Sequence, residues 1–237
     1  MSHSVAKQAI TIELLEQIRA DEKLKILIED LWSYGSDGMF NWFQSPPATP
    51  SGYVRNSVVV EYKKDYRADY PDSESERNHR HFPFELEHEL DSYCTKLEQL
   101  LTPVKLADPM IAQRKVYLRS RTDEQIHSCL TAYLTKRPKA SFPDLENDFA
   151  SNVIWGGEQL DFESELIYLM PDQVGAIAQV LHTINIKGLL SYFDTSQYNL
   201  ADWLEDWLKD CETAAHALTK CFVDAAEKGQ IIMTIVI

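Results

Sequence analysis

At 237 residues, 44% hydrophobic and 25% charged, the chain has the composition of a globular protein, with length enough for one large domain or two small ones. Its 37 acidic residues against 23 basic ones give a formal net charge of -14, a potential that repels nucleic acid and anionic lipid and favours basic partners. No apolar run approaches the ~20 residues needed to cross a bilayer, and the segment Met1 to Gln8 lacks the basic stretch and apolar core of a secretory signal.

The four cysteines, Cys94, Cys129, Cys211 and Cys221, are scattered and form no Cys-x-x-Cys pair. Three of them fall on the apolar stripe of a predicted helix, where a reduced thiol behaves as a small hydrophobe. Free thiols in a reducing cytoplasm are therefore expected rather than a disulfide scaffold.

From Thr11 to about Trp32 the residues Leu14, Leu15, Ile18, Leu27, Ile28 and Leu31 recur at helical spacing, with Thr11 as a cap. The charged run Arg19 to Lys25 marks a bend or break. A turn at Ser33 to Gly38 leads to the aromatic cluster Phe40, Trp42 and Phe43, which would be the contact surface if the protein self-associates. The prolines of Ser45 to Gly52 make a loop, because they lack amide donors and fix φ. Val58 to Tyr62 reads as a short β-branched strand, and Lys63 to His81 as a long polar connection.

Glu85 to Leu101 is an amphipathic helix on Leu86, Leu90, Tyr93, Cys94, Leu97, Leu100 and Leu101, stopped by Thr102-Pro103. Lys115 to Arg119 is a second strand. Thr122-Asp-Glu-Gln125 has the pattern of a capping box opening a helix to about Thr135. Asp144 to Phe149 suggests a helical turn, and Trp155-Gly-Gly157 a turn using glycine's freedom.

Leu166 to Leu169 is a strand, and Pro171 starts a helix whose apolar face is Val174, Ile177, Ala178, Leu181 and Ile184. Ile186 to Phe193 forms a second, short helix. A long one spans about Leu200 to Lys228, with Trp203 and Trp207 on its stripe as core or interface, and Gly229 ends it in a left-handed turn. Ile231 to Ile237 is apolar on both faces, so it belongs inside a sheet rather than at an edge. The pattern predicts an α+β fold: a mixed β-sheet with the C-terminal strand buried and amphipathic helices, including 122–135, 171–183 and 199–228, packed on it. A boundary near Leu106 to Gln113 divides the chain into 1–110, an N-terminal elaboration or small module, and 111–237; a single compact domain over 1–237 fits the pattern equally.

Tyr168-Leu-Met-Pro-Asp-Gln-Val174, then Tyr192-Phe-Asp194, then the long helix ending at Gly229 before an apolar terminal strand, resembles the YfbM-like family of uncharacterised bacterial proteins. Its members carry Tyr-Leu-Thr-Pro-Glu-Gln-Val, a Phe-Asp, and a closing Gly-Asn or Gly-Gln before a strand. The resemblance covers 164–237 and extends toward 114. It implies a bacterial α+β protein and no assigned activity or cofactor. Met170 departs from the family's Thr cap, removing a side-chain acceptor typically worth ~1 kcal/mol.

Three constellations invite a chemical reading. His79, His81 and His88, with Glu85 and Glu89, have ligand types suited to a divalent metal, but His-x-His in a charged loop is incomplete by zinc standards, so a solvated loop is the expectation. Asp202, Glu205, Asp206 and Asp210 fit a solvated helix face and a favourable helix N-terminus. Trp155, Glu158, Asp161 and Glu163 (with Glu165) place an aromatic residue and a turn beside an acidic run, a common recognition element. No nucleophile elbow, phosphate loop or dinucleotide glycine motif is present. The expected function is a non-enzymatic acidic protein-binding module, immunity- or inhibitor-like, that covers a basic surface. The alternative is a small-molecule binder or enzyme using a cleft between Trp155 and Glu165.

Overall fold

The structure is a computed structural model that describes residues 4–34, 87–119, 121–136, 149–161, 164, 166–193, 195 and 204–236. The expected strand at 58–62, the proline loop, the cluster of Phe40, Trp42 and Phe43, and Trp203 lie outside these residues. The chain divides into two compact units, residues 1–12 with 113–237, and residues 13–112.

The larger unit is built on one five-stranded sheet, with β1 (Val5–Ile10), β2 (Lys115–Leu118), β3 (Glu158–Gln159), β4 (Leu166–Leu169) and β5 (Ile231–Val236) in the order β2-β1-β5-β4-β3. The closing strand lies between β1 and β4, and its residues from Ile231 to Ile235 are buried. The α+β class and the buried C-terminal strand are as expected. The expected mixed sheet is corrected, because every pairing among the described residues is antiparallel. Between β4 and β5 the chain makes two long helical passes rather than one, and an even number of passes returns the strand in the opposite direction. A single crossover helix would have given a parallel pair.

The strand β1 has no counterpart in the sequence reading. Its six residues, Val-Ala-Lys-Gln-Ala-Ile, are all buried, and β2 and β5 pair with it on either side. Lys7 and Gln8 interrupt the apolar run at its centre, which hides the signature of a doubly flanked strand. Lys7 is fully buried and donates from Nζ to Thr234 Oγ1 at 2.8 Å, across the register pair Lys7 and Thr234.

Of the eight α-helices among the described residues, α1 (Ile12–Arg19), α2 (Glu22–Tyr34) and α3 (Glu87–Ala107) come first in the chain. The break expected between Arg19 and Lys25 falls at Asp21, whose Oδ1 accepts from Leu24 N at 3.1 Å and caps α2. Leu24, Leu27 and Ile28 on α2, and Leu90, Cys94, Leu97 and Leu101 on α3, are buried in the smaller unit. Ion pairs Lys23–Glu89 and Lys96–Asp21 link the two helices. Pro103 does not stop α3, which continues to Ala107. Proline removes one amide, but the buried stripe runs on through Leu101 to Lys105, and tertiary packing outweighs the missing bond.

The larger unit holds α4 (Thr122–Thr135), α5 (Phe149–Ile154), α6 (Pro171–His182), α7 (Ile186–Leu190) and α8 (Leu204–Glu227). Their apolar faces share one core with Val5, Ala9, Leu169 and Ile232 of the sheet: Ile126, Cys129 and Leu130 from α4, Val174, Ile177 and Leu181 from α6, and Cys211, Leu218 and Phe222 from α8. Trp207 packs edge-on to Phe193 at 5.3 Å between ring centroids. All four cysteines are buried, and no disulfide joins them.

Capping explains two of the boundaries. At α6, Met170 N donates to Gln173 Oε1 at 2.8 Å, half of a reciprocal cap that methionine has no oxygen to complete. At the end of α8, Gly229 (φ 60°) is left-handed, Gly229 N bonds Ala226 O, and Gln230 N bonds Ala225 O at 2.9 Å, a Schellman closure. One expected cap is corrected. Thr122 is the first residue of α4, and Arg121 occupies the cap position at φ 71° without a side-chain bond. The left-handed Arg121 turns the chain from β2 straight into the helix, which moves the boundary back by one residue.

Candidate functional site

Trp155 follows α5 directly, and the turn behind it is fixed by glycine. Gly157 has φ 133°, and a Cβ there would lie 2.2 Å from Tyr168 O. No side chain fits between β4 and the approach to β3, so the backbone passes close and delivers Trp155 against the start of α4. The half-buried indole donates from Nε1 to Asp123 Oδ2 at 3.3 Å. Its ring stacks on His127, one turn further along α4, with centroids 4.5 Å apart and planes inclined by 37°. His127 Nε2 and Ser151 Oγ, the latter on α5, share a hydrogen bond at 3.0 Å. Asp123, His127, Ser151 and Trp155 thus form one continuous polar and aromatic arrangement where α4 and α5 pack together.

Asp123 is the unusual member. It is 2% exposed, and its Oδ1 is buried without a hydrogen-bond partner. Most buried polar atoms have a partner, and leaving one unmet costs roughly 1–3 kcal/mol. Its position in the first turn of α4 favours a negative charge electrostatically. The neighbouring Arg121 holds a left-handed backbone rare for a residue with a side chain. The Ser151–His127 separation is that of a nucleophile and its base; it is also the ordinary pairing of two half-buried polar groups.

The sequence singled out Trp155 but passed over Asp123, His127 and Ser151. One signal pointed to the first of these. Asp123 lies three residues before Ile126 and seven before Leu130, on the buried stripe of α4, where an acidic residue is out of place.

The acidic residues expected beside Trp155 are distributed differently. Glu158, in β3, is exposed, and its Oε2 accepts from Tyr168 OH at 2.7 Å, across the register pair Glu158 and Tyr168. Tyr168 alternates along β4 with Leu169, which belongs to the helix-side core, so this contact lies on the opposite face of the sheet. Asp161 is exposed, and its carbonyl accepts from Ser164 N at 3.3 Å. Glu163 lies outside the described residues.

Of the possible metal ligands, His88 is exposed on α3 and His79 and His81 lie outside the described residues. Among the described residues no three His, Cys, Asp or Glu side chains are grouped to hold a metal. At the start of α8, Glu205, Asp206 and Asp210 are exposed, as a solvated face requires, and Asp202 lies outside the described residues. No described helix is long and apolar enough to cross a membrane.

No protein-family model matches the chain, and no curated protein matches it. Among solved structures it is similar to YfbM from Escherichia coli, a protein of unknown function, with 15% sequence identity over 63% of this chain and 92% of that one, and a TM-score of 0.38. That likeness is distant and assigns neither a family to the chain nor a role to any residue.

Proposed function

We propose that the protein is a non-enzymatic, acidic protein-binding module, immunity- or inhibitor-like, whose contact surface for a basic partner includes Trp155, Glu158, Asp161 and Glu163. One observation carries this reading. Residues 140–186 contain eight carboxylates (Asp144, Glu146, Asp148, Glu158, Asp161, Glu163, Glu165 and Asp172) and neither lysine nor arginine. Trp155 stands within this uncompensated stretch, half-exposed, with Glu158 and Asp161 in solvent close behind it in the chain. Negative charge in the same stretch of chain as an aromatic residue would speed the encounter with a basic surface, and the aromatic residue would give it an anchor.

The test is capture of partners at low and moderate salt, followed by association kinetics. The double variant Glu158→Gln, Asp161→Asn, which keeps an acceptor for Tyr168 OH, should slow association by roughly two- to fivefold with little change in fold. Recovery of no protein partner at either salt sinks the reading. A small-molecule or enzymatic role between Trp155 and Glu165 is the rival, favoured by the buried Asp123 carboxyl bonded to Trp155. It requires affinity for a small ligand in the absence of any protein.

A further inference from the structure

We infer that Asp123, beneath Trp155 and His127, is the anchor point for an arginine side chain of the partner, an assignment that rests on the protein-binding reading above. Three observations converge on the chemistry. Asp123 Oδ1 is buried with no donor, so the site is missing an N–H group. The bond from Trp155 Nε1 to Oδ2 is 3.3 Å long, beyond the usual range of about 2.7–3.2 Å, and a weak bond gives way readily to a stronger donor. The two rings beside the carboxyl, Trp155 and His127, are half-exposed.

A guanidinium fits these features together. Its planar fork supplies several donors to one carboxylate, its faces stack on an indole, and it is weakly hydrated compared with an ammonium. Its charge is also opposite to that of residues 140–186, the stretch of sequence that carries Trp155, with eight carboxylates and no lysine or arginine. Arg121, two residues before Asp123 in the chain, is exposed and carries no cap bond; its left-handed backbone leads into the first turn of α4. A buried carboxyl held in this way, with a yielding indole over it, is preorganised for a cation.

The probe is methylguanidinium, and the readout is the indole N–H resonance of Trp155 in an amide-correlated NMR spectrum, identified by its loss in Trp155→Phe. Saturable movement of that resonance is expected, with sodium chloride at equal ionic strength leaving it in place. Asp123→Asn, checked for folding by circular dichroism, should weaken binding at least tenfold. The wild-type resonance alone decides the matter if that variant does not fold. A resonance that stays fixed, or an equal response in a folded Asp123→Asn, overturns the anchor. Capture of a basic partner together with a fixed resonance overturns the anchor and leaves the protein-binding reading standing. Saturable movement with no partner recovered assigns the site to a free cation and overturns the arginine assignment.

Discussion

A lysine at the centre of a sheet sets the pH behaviour of the fold. Lys7 is fully buried, and burial holds its ammonium down at about 7 from an ordinary 10.5; the single neutral acceptor, Thr234 Oγ1, offsets little of that. Between those two values the unfolded chain binds a proton that the folded chain does not, so stability rises with pH across the window and the full penalty, about 5 kcal/mol, is present below it. The buried thiols act in the opposite sense. Burial pushes Cys129 up to about 11 and Cys211 and Cys221 up to about 12 from 9.0, so the unfolded chain loses those protons first and stability falls once pH passes the ordinary thiol value. Greatest stability is therefore expected near pH 9, and Lys7→Met should raise stability at pH 7 and flatten the slope from there to pH 9. Urea denaturation at several pH values checks this. A wild type equally stable at pH 7 and pH 9 contradicts the buried lysine.

At the scale of elements, two glycines separate backbone conformation from space. Gly229 is left-handed at φ 60°, and an added Cβ meets nothing within 4 Å. Gly229→Ala should cost only the conformational term, about 1–2 kcal/mol, and loosen the join between α8 and β5. At Gly157 the Cβ would also strike the Tyr168 carbonyl, so Gly157→Ala should cost clearly more. Equal shifts in the denaturation midpoint for the two variants would contradict the close approach of the Trp155 turn to β4.

The same elements show what the sequence discloses. β5, β4, α6 and α8 were legible because their apolar periods are unbroken and their ends carry proline or glycine. β1 was hidden because its two central residues are polar, and only pairing on both sides makes Lys7 and Gln8 interior. α3 ran past Pro103 because packing along its stripe outweighs a local stop signal. Trp155 was visible as an aromatic residue beside glycines. Asp123, His127 and Ser151 joined it only through the packing of α4 on α5, which no local pattern encodes.

For the whole molecule, the excess of 14 negative charges acts on folding and on association with opposite signs. Like charges repel one another in the compact state, so added salt should stabilise the fold by screening, while the same salt weakens attraction to a basic partner. Raising ionic strength to about 0.15 M shortens the screening length to about 8 Å. Each kcal/mol of relieved repulsion should raise the thermal midpoint by roughly 2–4 °C in a chain of this size. The association rate with the proposed basic partner should fall over the same titration, by on the order of tenfold. These opposed responses separate charge-driven docking from a salt effect on folding: a rate that falls while the midpoint rises cannot come from loss of the folded state. If rate and midpoint fall together, the fold rather than the acidic surface is sensitive to salt, and the net charge has no part in recognition.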